Sequence, residues 1–138
     1  MKITVDTHVL LRAIVADDPE QASAAVKALA HAEVVAVSLT ALCELSSVLQ
    51  GSNGVARADV VATIRQLIET QQIEVNRSAV EAGLSVLTAG GDFADGIIAY
   101  DGRWLGGAVF VSFDRKAVKL LTAQGHAAQV PTDGKRQG

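Results

Sequence analysis

The chain of 138 residues has the length of one domain. Hydrophobic residues make up 49% of it and charged residues 20%, which excludes a disordered protein and supplies side chains for a sizeable core. The 15 acids against 12 lysines and arginines give a net charge of −3. This balance excludes a histone-like protein held to nucleic acid by bulk positive charge, but it does not exclude an enzyme that acts on nucleic acid.

Three further classes of protein are disfavoured. All the aromatic residues lie between positions 93 and 113, so we expect no base-stacking platform like that of an RNA-recognition sheet or a single-strand-binding barrel. The single cysteine, Cys43, excludes an internal disulfide framework and a cysteine-cluster zinc site. The sequence has no signal-peptide pattern, and its longest apolar stretch, 34–49, is interrupted by polar residues. We therefore expect a cytoplasmic protein with no membrane partner.

Taken in chain order, hydrophobic patterns and capping residues predict strands that alternate with helices. The predicted strands are 2–6, 33–37, 72–75, 108–113 and 127–130. The predicted helices are 7–16, Pro19 to about Ala30, a helix capped by Ser38 or Thr40 that runs to about Leu49, Ala56 to about Thr70, 78–89, Phe93 to Leu105, and a helix capped by Asp114 that runs to about Ala123. This order predicts an α/β domain with a parallel sheet over residues 1–130, followed by a polar C-terminal tail, 131–138.

Acidic residues lie where such a fold binds ligands, beyond the carboxyl ends of its strands. Asp6 ends the first predicted strand, and Asp114 follows the fourth. Either acid is equally well explained as the N-cap of the next helix. Glu44 lies at the edge of an apolar helical stripe, where a carboxylate that faces the core needs a partner or a cation. The alternative for Glu44 is a side chain turned toward solvent.

Two more acids, Asp92 and Asp95, are three residues apart at a predicted helix start and are therefore neighbours in its first turn. Asp92 is well explained as the helix cap, and the helix dipole favours acids in a first turn. Carboxylates this close repel each other, and a divalent cation would relieve the repulsion. Carboxylates without His or Cys partners suit hard cations such as Mg²⁺ and Mn²⁺, and the reaction that suits such a cluster is phosphoryl transfer.

Two other classes of protein with an acidic pocket are excluded by the residues around Asp6. A phosphatase of the haloacid dehalogenase type needs a second aspartate two places after Asp6, and that position is His8. A receiver domain needs an acidic pair at the end of the first strand, but Asp6 stands between Val5 and Thr7.

Four acidic motifs follow one another along the chain: VDTHVLL at 5–11, LCEL at 42–45, DFADGIIA at 92–99 and FVSFDRKAVKL at 110–120. In order and spacing they resemble the motifs of PIN-domain proteins, most closely the VapC toxins of bacterial toxin–antitoxin pairs. The stretch LLRAIVADDPEQASAA at 10–25 is also typical of one VapC subgroup. The resemblance extends from residue 3 to about residue 130.

The resemblance implies a three-layer α/β/α fold with a central parallel sheet of about five strands, and a Mg²⁺-dependent endoribonuclease for which Mn²⁺ is a substitute ion. The implied metal ligands and catalytic acids are, by motif position, Asp6, Glu44, Asp95 and Asp114. The implied accessory residues are Thr7, Asp92 and Ser112. Gly96 stands where the family usually has alanine, and we expect it to loosen the helix start. Without the four acids, 11 acids face 12 basic residues, so the net negative charge would be local to the metal cage.

The same resemblance implies an RNA substrate, a homodimer and a cognate VapB-like antitoxin. The fourth motif is surrounded by Arg103, Arg115, Lys116 and Lys119, which are predicted contacts to RNA phosphates, with a solvated helix face as an equal alternative. Arg12 is predicted to contact RNA phosphates as well, or to meet a protein partner. The apolar residues Leu10, Leu11, Ile14, Val15, Leu42 and Leu45 are predicted to form either a groove or dimer surface, or plain core.

Two alternatives to a ribonuclease remain. One is a non-catalytic PIN-like module that binds RNA or a protein. The intact set of four acids argues against this alternative. The other is a metal nuclease for structured DNA, which the small size of the chain disfavours because it leaves no room for a DNA-clamping insert.

Overall fold

Helices and strands follow one another in the predicted order. The protein is described here by a computed structural model that covers residues 1–132. Its strands are β1 (Lys2–Thr4), β2 (Val34–Ala36), β3 (Ile73–Glu74), β4 (Phe110–Val111) and β5 (Ala128–Gln129). Its helices are α1 (Thr7–Ile14), α2 (Pro19–His31), α3 (Leu39–Gln50), α4 (Arg57–Glu69), α5 (Arg77–Thr88), α6 (Phe93–Trp104) and α7 (Arg115–Ala123). The predicted α/β class is confirmed.

Short polar side chains begin most of the helices, which explains why their starts could be predicted. The side chains of Asp6, Asp18, Ser38, Asp92 and Asp114 each accept a hydrogen bond from a backbone N–H in the first turn of the helix that follows. Of the two caps considered for α3, Ser38 is the one used. Glycines with positive φ follow the ends of α6 and α7, at Gly106 and Gly125, where the chain turns into a conformation that other residues rarely adopt.

Residues Met1–Arg77 form one compact unit around a parallel sheet in the order β1-β2-β3. Ile3 pairs with Val35, and Val35 pairs with Ile73. Helix α1 contacts α2 and α3, and α3 contacts α4. Leu10 of α1 and Leu42 and Leu45 of α3 are completely buried, so the core interpretation of these leucines is confirmed.

The second compact unit begins at Ser78 and has a core of its own. Strands β4 and β5 pair in parallel, with Phe110 opposite Ala128. Val86, Ala99 and Leu121 form a buried cluster against which Phe110 also packs. Each of the helices α5, α6 and α7 therefore contributes a core residue to this unit.

Helices α5 and α6 approach closely at Gly96. A Cβ atom at this position would lie 2.5 Å from the carbonyl oxygen of Ala82 and 2.8 Å from the Cα atom of Gly83. The expectation that Gly96 loosens the helix start is therefore wrong: the missing side chain allows backbone-to-backbone packing, which tightens it.

The strands differ from their predictions in length and grouping. The five predicted strands are all present, but each is shorter than predicted, and their hydrogen bonds form one sheet of three strands and one pair. Strand limits are set by the partner strand, which a local pattern does not contain. The single domain 1–130 stays a prediction, and most of the predicted tail, from residue 133 onward, lies outside the described residues. Over residues 1–132 no helix is both long and apolar enough to cross a membrane.

Candidate acidic site

Asp6 and Glu44 line the same open cavity of about 650 Å³ in the first unit. Asp6 follows β1 and begins α1, where its Oδ1 atom accepts a hydrogen bond of 3.0 Å from the backbone N–H of Val9. Its second carboxylate oxygen has no such bond among the described residues. Glu44 is exposed, so the interpretation in which its side chain turns toward solvent holds, and it does so at the cavity wall. His8 also lines this cavity.

Thr7, the residue after Asp6, also contacts Glu44. Its side chain is buried, and its hydroxyl lies 3.3 Å from Oε2 of Glu44 and 3.2 Å from the backbone oxygen of Ala41. A threonine hydroxyl has one proton to donate, so the two acceptors share it. The bond to Glu44 spans 37 residues of sequence, which explains why no motif spacing could reveal it. Thr7 was predicted as an accessory residue, and the structure identifies the carboxylate that it contacts.

The surroundings of Asp95 in the second unit disfavour its ionised form. Burial, the negative charge of Asp92 and the negative charge of Asp114, in that order, raise the pKa of its carboxyl above the ordinary 3.8. Asp95 is only partly buried, and among residues 1–132 its carboxylate accepts no hydrogen bond. The sequence prediction that Asp92 and Asp95 repel each other is therefore confirmed, and Asp114 belongs to the same cluster.

Hydrogen bonds fix the other two acids of this cluster. Asp114 begins α7, and its Oδ1 atom accepts from the backbone N–H groups of Lys116 and Ala117. Ser112 in turn accepts a hydrogen bond of 3.0 Å from the backbone N–H of Asp114. Asp92 accepts from the N–H of Ala94, so its interpretation as a helix cap is confirmed. These bonds leave the second oxygen of each carboxylate without a partner among the described residues.

The basic residues predicted to contact RNA phosphates differ in how freely they can do so. Arg115 and Lys116 are exposed in the first turn of α7. Arg12 forms an ion pair of 2.8 Å with Asp17, so part of its guanidinium is already engaged within the first unit. Phosphate contact by Arg12 would have to compete with this pair.

The donor atoms of the predicted acids fit a hard divalent cation, because all of them are carboxylate oxygens. Within residues 1–132 no three His, Cys, Asp or Glu side chains are grouped so that they would hold an ion. Asp6, Thr7 and Glu44 meet in the first unit, and Asp92, Asp95, Ser112 and Asp114 belong to the second.

The family model described as the PIN domain matches residues 3–120. The chain belongs to the PIN-domain family. The match includes all four acidic motifs and leaves residues 1–2 and 121–138 outside. None of the curated proteins with which the chain was compared matches it.

Membership of the PIN-domain family gives the two acidic clusters a chemical context. PIN domains have a nuclease-type fold and are generally metal-dependent nucleases, so the family is consistent with a ribonuclease and with RNA as the bound polymer. The resemblance to this family that the four motifs predict is therefore confirmed. The roles of Asp6, Glu44, Asp95 and Asp114 within it stay predictions.

Proposed function

We propose that the protein is a Mg²⁺-dependent endoribonuclease of the VapC toxin type, with Mn²⁺ as a substitute ion. The observation that carries the proposal is the state of Asp95. This partly buried carboxylate accepts no hydrogen bond from residues 1–132, and the charges of Asp92 and Asp114 oppose its ionisation. A nearby cation would offset both the burial and the two like charges. In a family of metal-dependent nucleases, a divalent ion is the expected cation.

The proposed metal ligands and catalytic acids are Asp6, Glu44, Asp95 and Asp114, assigned by the four motifs. When bound, Mg²⁺ would supply positive charge for the attacking and leaving oxygens of an in-line displacement at phosphorus. Asp6, Glu44 and Asp114 each accept protein hydrogen bonds through one carboxylate oxygen, which leaves the other for an ion.

Neighbouring residues orient these acids. The Thr7 hydroxyl donates toward Glu44 and restrains its carboxylate at the cavity wall. Ser112 holds the backbone of Asp114, and the α7 N-terminus holds its side chain. Arg115 and Lys116 are exposed at the same helix start and supply positive charge for RNA phosphates, which position the substrate without reading its sequence.

The toxin role adds two protein partners and a location, all of which rest on the resemblance to VapC toxins. We propose a homodimer in the cytoplasm and a cognate VapB-like antitoxin whose C-terminal segment neutralises the enzyme. An arginine of the antitoxin would pair with the acidic residues and compete with the metal ion. A small upstream gene for a DNA-binding antitoxin would support this role.

The experiment that tests the proposal measures cleavage of a broad RNA panel by the purified protein. We expect endonucleolytic cuts with Mg²⁺, none with a chelator, and recovery when Mn²⁺ is added. Glu44→Gln should abolish cleavage while the protein stays folded. Asp18→Asn is the matched control, because Asp18 is the N-cap of α2 in the same unit and has no proposed role in catalysis. Cleavage that persists in the chelator or in Glu44→Gln would refute the proposal.

A second candidate function is a PIN-like module that binds RNA or a protein without cutting. One observation favours it: within residues 1–132 no three potential ligands are grouped as a metal site. This candidate predicts tight binding of RNA or of a partner, no cleavage of any RNA in the panel, and no effect of Glu44→Gln on that binding.

A further inference from the structure

A cationic and aromatic cluster lies at the C-terminal end of α6, and it includes Arg103, one of the predicted contacts to RNA phosphates. Its three residues are Tyr100, Arg103 and Trp104, which we call the Trp104 cluster. They are spaced i, i+3 and i+4, so they share one face of the helix. Together they line a shallow cavity of about 170 Å³.

The geometry of the Trp104 cluster is that of an open stacking surface. The ring centroids of Tyr100 and Trp104 are 6.4 Å apart with planes inclined by 58°, and the guanidinium carbon of Arg103 lies 5.8 Å from the centroid of the Tyr100 ring. The Trp104 side chain is 77% exposed. A flat ligand can therefore reach the Trp104 ring from solvent.

The charges favour nucleic acid over protein as the ligand. No carboxylate in the described part of the chain forms an ion pair with Arg103, including that of Asp101 in the same turn, so its positive charge remains available for a phosphate. Aromatic rings beside an available arginine are the combination that binds single-stranded nucleic acid, because bases stack on the rings while the cation contacts the backbone.

We propose that the Trp104 cluster is a subsite for single-stranded RNA, in which one base of the strand stacks on Trp104 or Tyr100 and Arg103 contacts an adjacent phosphate. The proposal deepens the proposed ribonuclease function and depends on it for the identity of the polymer. It also modifies the expectation drawn from composition. The few aromatic residues build no broad platform, but three side chains on one helical face suffice for one base.

Trp104 is the single tryptophan of the chain, so its fluorescence reports on this cluster alone. The probes are an unstructured RNA of about ten nucleotides, within the usual site size for single strands, and an abasic strand with the same sugar–phosphate backbone. Both are titrated in a chelator, so that cleavage does not interfere. We expect the RNA to quench the fluorescence, the abasic strand to leave it unchanged, and Arg103→Gln to weaken the RNA titration severalfold.

A labelled RNA gives an independent measure of affinity by fluorescence anisotropy. Trp104→Ala should bind roughly tenfold more weakly, as for loss of one base–aromatic stack. The matched control is Leu105→Ala, which removes a neighbouring side chain that is 89% exposed and apolar but not aromatic. This control should bind RNA like the unmodified protein and fold equally well.

Several results would overturn the subsite: absence of quenching, equal quenching by the abasic strand, or equal weakening by Leu105→Ala. Fluorescence that changes with protein concentration but not with RNA would assign the surface to a protein contact instead. The two proposals fail separately. Quenching without any cleavage would refute the ribonuclease function and support the subsite. Mg²⁺-dependent cleavage with an unchanged KM in Trp104→Ala would support the ribonuclease function and refute the subsite.

Discussion

The acids of residues 1–77 and those of residues 78–132 are stabilised in different ways. In the first unit, Asp6 and Glu44 lie at a cavity wall, and each accepts a hydrogen bond, from a backbone N–H and from the Thr7 hydroxyl. In the second unit, Asp95 accepts none within the described residues, and burial and two like charges act on it. The first pair is held in position by the protein itself. Asp95 instead carries an electrostatic cost that a cation would remove, which is typical of a functional site.

Replacing one acid of each unit by its amide tests whether both units are needed for RNA cleavage. We expect Asp6→Asn and Asp95→Asn each to lower RNA cleavage by at least a hundredfold, about 2.7 kcal/mol of transition-state stabilisation. Asn also caps helices well, so Asp6→Asn should keep the stability of α1, whereas Asp6→Ala should lose about 1 kcal/mol in addition. Single-turnover rates and urea unfolding measure the two effects. A large loss of activity in only one of the two variants would assign catalysis to the unit that carries the replaced residue.

The close packing beside Asp95 gives the next largest effect. Gly96→Ala should destabilise the protein by about 1–2 kcal/mol, because the added methyl group would collide with backbone atoms of α5. Gly102→Ala is the matched control on the same helix, since a Cβ there meets nothing within 4 Å. The control should be neutral or stabilising by up to about 1 kcal/mol through helix propensity. Equal urea midpoints for the two variants would contradict the account of this contact.

Removal of the Thr7 hydroxyl tests whether hydrogen bonding organises the first unit. Thr7→Val keeps the size of the side chain and removes the donor to Glu44, so we expect a roughly tenfold loss of kcat with little change in KM, in the range seen when partners of metal ligands are lost. Thr7→Ser retains the hydroxyl and should restore most of the activity. If serine and valine lower kcat equally, the effect is one of packing and the orienting role of Thr7 is wrong.

The smallest expected effect is a pH dependence of stability in the second unit. The raised pKa of Asp95 means that its neutral form is favoured in the folded protein. Its contribution to stability is complete below 3.8, the ordinary pKa, and is lost as the pH rises through the higher folded value. Asp95→Asn should therefore raise the Tm of the metal-free protein at neutral pH and lose this advantage below pH 3.8. An equal gain in Tm at neutral pH and below pH 3.8 would contradict the interpretation.

The sequence predicted the parts of the fold that are encoded locally. Caps such as Asp18 and Asp114 contact residues two or three positions away, so the helix starts could be read directly from the sequence. Strand limits could not, because β4 is defined by its pairing with β5, well outside any local window. In the acidic clusters, the motifs identified the residues, but the bond between Thr7 and Glu44 arises only when α1 meets α3. The Trp104 cluster had a usable signal, the i, i+3, i+4 spacing, which a census of aromatic residues overlooks.

We propose that Asp6, Glu44, Asp95 and Asp114 are metal ligands, and calorimetric titration of Mg²⁺ into the purified protein is the decisive measurement. We expect measurable binding by the unmodified protein, affinity at least tenfold weaker in Asp6→Asn and in Asp95→Asn, as for loss of a metal-site residue, and no change in Asp18→Asn. Equal Mg²⁺ affinity in all four proteins, or no binding in any of them, would contradict the account.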